Sequence, residues 1–179
     1  MKTNTRKLAL CGVMCALAVV IMLLGGVVTI ATFCCPALAG LVLIPLVVEC
    51  GKRMALGAWV AISLLSLMLC PNKEAALLFT FLGYYPVVKW QLDTIKHKWK
   101  RRGLKILILN ASIAVMYSLI FYVLRIDQIM ADYQDVTQVT FVLMVLLGNL
   151  TLYLYDRMLF IGAWLYIKKY RAKLFGQHD

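Results

Sequence analysis

The run LALCGVMCALAVVIMLL, residues 8–24, holds no charge or hydrogen-bonding side chain beyond two thiols and follows Lys2, Arg6 and Lys7. The apolar stretch continues to Ile30, and about 20 residues of helix cross a hydrocarbon core. It therefore reads as a membrane anchor with a basic flank. A secretory signal also begins basic and apolar, and Ala37-Leu38-Ala39 imitates a cleavage site. The stretch from Leu8 is longer than the usual apolar core of a signal, which favours a retained anchor.

Further apolar runs follow at 35–48, 54–70, 75–88, 104–124 and 139–155, the last continuing as a mixed aromatic helix to about 167. They are continuous rather than alternating, which argues for helices and against a barrel. The expected fold is an all-α integral membrane protein with six transmembrane helices and both termini inside, one polytopic domain over residues 1–179. The second and fourth runs are short and must borrow flanking residues. Composition agrees: of 179 residues 63% are apolar and 15% charged, with a mean hydropathy of +0.85. So little polar sequence cannot coat a water-soluble core.

Charge sets the orientation. With the N-terminus inside, the inner segments carry Lys2, Arg6 and Lys7, then Lys52 and Arg53, then Lys89, Lys96, Lys98, Lys100, Arg101, Arg102 and Lys105, then Lys168, Lys169, Arg171 and Lys173, which is 16 of 19 basic residues. The outer segments hold Lys73 and Arg125 beside Glu74, Asp127, Asp132 and Asp135. This is a positive-inside distribution, and removing one span would place one basic cluster outside. A basic cytoplasmic loop at 89–105 and an acidic outer loop at 125–138 are the sizeable polar connections expected. The net charge of +11 lies in the gaps between apolar runs rather than on one face with stacking aromatics, so it suits an anionic lipid leaflet and not nucleic acid.

Local punctuation fills in the helices. Pro36 suits the start of the second, Pro45 lies inside it near its inner end, and Pro71 stops the third. Asn72 offers an N-cap to the fourth, with Glu74 in its first turn, so that Pro71-Asn72-Lys73-Glu74 forms a tight outer hairpin. Tyr84-Tyr85-Pro86 is expected to end the fourth span with one tyrosine inward and one at the headgroups.

No phosphate-binding glycine loop, zinc-protease helix or serine elbow occurs, so no enzyme activity is expected. The six cysteines contain no CxxC and the two histidines, His97 and His178, lie apart, so neither metal nor other cofactor is expected. Cys34 or Cys35 could meet Cys70 on the outer side. Polar residues inside spans are costly and mark candidates, here Glu49, Asn110, Asn149, Asp156 and Arg157. Asn149, Tyr153 and Asp156 fall at i, i+4 and i+7, one helix face expected to meet protein, with Arg157 beside them. They serve either as interhelical glue or as a ligand or coupling element. Gly12 with Ala16, and Cys11 with Cys15, form two strips of small residues open to close helix approach.

With about 180 residues, six expected helices, both ends inside and the first helix reading Leu8-Ala9-Leu10-Cys11-Gly12-Val13-Met14-Cys15-Ala16-Leu17-Ala18, the chain resembles the substrate-binding (S) components of bacterial energy-coupling factor transporters. The resemblance covers the whole chain and is chiefly topological. It implies a multi-pass protein of the bacterial cell membrane that binds a vitamin-like small molecule and is reoriented by a coupling transmembrane subunit driven by ATPases. In that family a small-residue stripe on the first helix meets the coupling subunit, and Gly12 and Ala16, or Cys11 and Cys15, would fill it here. The family grips ligand near the outer surface, which makes Thr29, Thr32, Asn72, Lys73, Glu74 and Asn149 the candidates. The rival reading is a membrane scaffold of the rod-shape-determining type, whose polar stripe is packing alone.

Overall fold

A computed structural model describes residues 2–27, 31–93, 97–119 and 138–170, and these are all-helical, with no strand among them. The helices are α1 (Lys2–Val27), α2 (Cys34–Glu49), α3 (Lys52–Leu69), α4 (Lys73–Leu82), α5 (Tyr85–Leu92), α6 (Lys98–Leu119) and α7 (Gln138–Leu165), the last continuing into a π-helical turn, Tyr166–Tyr170. Three are long and apolar enough to cross a membrane, within Thr5–Gly25, Lys52–Leu69 and Trp99–Leu119. Only 17% of the α1 and α6 windows is buried inside the protein. Leu8, Val13 and Leu24 on α1 and Leu64 and Met68 on α3 stand exposed, a surface that water would not tolerate and lipid does.

The first three helices run antiparallel in turn. Cys50, just past α2, donates its thiol to the Lys7 carbonyl of α1 (3.6 Å), while Cys70, just past α3, donates to the Met22 carbonyl (3.2 Å). These contacts define two ends of the bundle. One collects Lys7, Lys52, Arg53, the end of α5 and the start of α6 and is called the basic end; the other collects Thr32, Cys70 and Asn72 and is called the far end. The turn from α2 to α3 is two residues long and needs Gly51 at φ +82° and ψ 171°, a conformation essentially confined to glycine. The helix α2 runs through Pro45 to Glu49, and Pro36 lies in its first turn.

The fourth apolar run, expected as one span, is two helices. Pro86 has no N–H for the Leu82 carbonyl, and Gly83 instead closes α4 by donating to Phe79 (2.6 Å). The freed Leu82 carbonyl accepts from the Tyr155 hydroxyl of α7 at 3.5 Å. Such a break is tolerable at membrane depth only when protein surrounds it, and α4 is surrounded: Ala75, Ala76, Leu77, Leu78 and Phe79 are five consecutive buried residues. The core packs α4 against α1, α2 and α3, with Met22, Leu43, Leu46, Ile62 and Phe79 fully or nearly fully buried. A second cluster joins Ile44, Tyr85, Leu109, Leu152, Tyr155 and Leu159 across α2, α5, α6 and α7. There α2 and α7 meet so closely that a Cβ on Gly40 would collide with the Tyr155 hydroxyl.

Of the basic stretch 89–105, expected as a loop, residues 89–92 end α5 and residues 98–105 form the first two turns of α6, and Lys89 and Lys105 have carboxylate partners there. The acidic loop at 125–138 lies outside the described residues except for Gln138, the first of α7.

Candidate functional site

At the basic end one carboxylate gathers three helices. Tyr85 and Lys89 lie one turn apart on α5 and point the same way. Asp156 of α7 accepts from the Tyr85 hydroxyl (2.7 Å), from the Lys89 ammonium and, at 3.4 Å, from Lys105 of α6. Lys89 also donates to the Asp156 backbone carbonyl at 2.7 Å, and Lys105 pairs with Asp93 at 2.6 Å. The Lys89 side chain is 8% exposed and that of Asp156 is 25% exposed. Removing such charges from water costs several kcal/mol per ion, offset only when the partners stay in place. Alternating positive and negative groups therefore tie α5, α6 and α7 together.

Here the expected single face of α7 divides. The buried residues Leu152, Tyr155 and Leu159, with part-buried Asp156 between them, centre on a direction about 70° from Asn149 and about 110° from Tyr153 at 100° per residue. Tyr153 is accordingly 57% exposed and accepts from the Arg157 side chain at 3.3 Å on the outside of the bundle. Asn149 accepts from the Asn110 amide of α6 at 2.8 Å and donates to the Val145 carbonyl. Asn149 and Asp156 thus face protein, whereas Tyr153 and Arg157 do not. Lys89 and Lys105, placed in a loop by sequence, are the missed members; the i, i+4 spacing of Tyr85, Lys89 and Asp93 was their available signal.

The far end assembles most of the outer candidates. The Asn72 amide donates to the hydroxyl of buried Thr32 (3.0 Å), while its carbonyl oxygen accepts from Ala75 N–H (3.2 Å) as the expected N-cap of α4. Glu74, in the first turn, accepts from the Tyr117 hydroxyl of α6 (3.1 Å). Lys73 folds back to donate to the Leu67 and Cys70 carbonyls at the end of α3 (2.9 and 3.1 Å), and it reads as a C-terminal cap. Thr29 lies outside the described residues. Asn149 joins Asn110 and not this group.

The two strips of α1 also part company. Cys11 and Cys15 pack against the core, while Gly12 and Ala16 are exposed and a methyl on Gly12 would meet open space. Only the second strip is open to another chain. All six cysteines are free thiols, so no bond joins Cys34 or Cys35 to Cys70. Both tyrosines of Tyr84-Tyr85 turn inward: Tyr85 is fully buried, and the Tyr84 hydroxyl shares a 2.6 Å hydrogen bond with Ser112 while its ring meets Trp59 edge-on. Among the described residues no three His, Cys, Asp or Glu side chains form a metal-holding group. Comparison with protein-family models, curated proteins and solved structures finds no match.

Proposed function

We propose that the chain is a multi-pass subunit of a bacterial cell membrane, with six crossings and both termini cytoplasmic, that binds a small vitamin-like solute at its far end. It is a binding subunit and not an enzyme, and a coupling transmembrane subunit with ATPases supplies the energy that its own sequence has no motif to extract. The observation that carries this reading is the convergence of Thr32, Asn72, Glu74 and Tyr117 from the α1–α2 connection, the α3–α4 turn and α6 at one end. A hydroxyl, an amide, a carboxylate and a phenol there offer donors and acceptors to a polar heterocycle, and exchanging an internal hydrogen bond for one to a ligand is close to neutral in free energy. Exposed Gly12 and Ala16 leave a flat strip for the coupling subunit.

The scaffold reading has one observation in its favour: Asn72, Lys73 and Glu74 all have partners within the chain that explain their presence. Thermal unfolding in detergent, with and without the small molecules that co-purify and are identified by mass spectrometry, separates the two. A receptor gains about 2.7 kcal/mol at a ligand concentration 100-fold above Kd. Glu74→Gln, which keeps the shape of the side chain, should remove that gain while leaving the unliganded melting temperature within a few degrees; Asn149→Leu should lower the melting temperature and leave the gain intact. A wild-type protein with no ligand-dependent shift returns the chain to the scaffold class.

A further inference from the structure

A cleft of about 410 Å³ runs between α2, α5 and α7 on the basic half of the bundle. Its size is that of a small-molecule site, about 300–1,000 Å³. The walls are aliphatic and aromatic, with Ile44 and Val48 of α2 facing Leu159 and Phe160 of α7. It opens onto a surface where Phe160 and Ile161 are 57% and 54% exposed, which on the membrane reading above is a lipid-facing surface. Polarity enters at one end only, where Lys89 and Asp93 line the cleft beside Trp90 and Trp164. Both tryptophans are half exposed, and amphipathic rings of this kind settle at headgroup depth.

The mouth is also positively charged. The Lys168 ammonium stands 4.8 Å over the Trp164 ring, Lys105 pairs with Asp93, and Arg101 donates to the Asp93 carbonyl at 3.5 Å. With Lys89 these make four cations against the two carboxylates of Asp93 and Asp156. An apolar channel open to lipid, two interfacial tryptophans and a cationic rim together match an amphiphile with one long hydrocarbon chain and an anionic head. We propose that this cleft is a binding site for an anionic phospholipid of the cytoplasmic leaflet, one acyl chain lying between α2 and α7 and the phosphate resting against Lys168 and the outer side of Lys89. The proposal rests on the membrane orientation above and not on the identity of any solute bound at the far end.

Tryptophan quenching by brominated lipids tests it. Full-length protein carrying Trp99→Phe, which removes an exposed reporter at another place, is reconstituted in phosphatidylcholine vesicles, and either brominated phosphatidylglycerol or brominated phosphatidylcholine is added. The expected result is half-maximal quenching at a mole fraction about fivefold lower for phosphatidylglycerol, the preference that one basic residue near an anionic headgroup supplies. Ala163→Phe, which fills the cleft, should abolish that preference, and Lys168→Gln should reduce it. Equal quenching by the two lipids, or a preference that both variants keep, overturns the site while leaving the membrane reading standing. Absence of quenching by either lipid overturns both.

Discussion

Asp156 carries more of the structure than any other single polar side chain described. It accepts from Tyr85, Lys89 and Lys105, and its loss leaves Lys89, 7% exposed, facing a neutral group. Asp156→Asn should therefore lower stability by about 3–5 kcal/mol, the cost of breaking a buried pair from one side, whereas Asp156→Leu combined with Lys89→Met should cost less than the single change. Unfolding in detergent checks the order of the two; a double variant worse than Asp156→Asn would mean that the pair contributes net stability. Sequence singles out Asp156 because a carboxylate inside an apolar helix demands a partner, and the structure gives it Tyr85, Lys89 and Lys105. Sequence could not choose the partners, since Lys89 and Lys105 lie 67 and 51 residues away. It also placed Tyr153 on the same face, because i+4 and i+7 positions sit 60° apart and the boundary of the buried face falls between them.

Element by element, the punctuation was more legible than the run lengths. Pro36, Pro71 and the Asn72 cap are placed as local chemistry dictates. Asn72→Ala removes the oxygen that accepts from Ala75 N–H and the amide that donates to Thr32. On a helix of ten residues the cap matters, and the variant should lose about 1–2 kcal/mol, while Asn72→Asp, which keeps the acceptor, should lose less. Equal losses for the two would assign the effect to the Thr32 bond instead. The division of the fourth run at Gly83 was not legible, although Pro86 was in plain view. Whether a proline kinks or severs a helix depends on what receives the orphaned carbonyl, and that group, the Tyr155 hydroxyl, comes from 73 residues further on. The short α2 and the α4–α5 pair are both at the centre of the bundle, where neighbours and not lipid satisfy the backbone.

For the whole molecule, composition points to helices that can cross a membrane, and three of the described helices are long and apolar enough to do so; the path of the helices places Lys7, Lys52, Arg53, Lys89 and Lys105 at one end and Lys73 at the other. All the functional readings depend on that end facing the cytoplasm. Labelling of sealed cells with a membrane-impermeant maleimide tests this directly, because native Cys34 is exposed at the far end and Cys35 and Cys70 beside it are buried. The account predicts that Cys34 reacts in intact cells, and that a cysteine introduced as Arg102→Cys in a Cys34→Ser background reacts only after the membrane is permeabilised. Labelling of Arg102→Cys in sealed cells, with Cys34 protected, would contradict it.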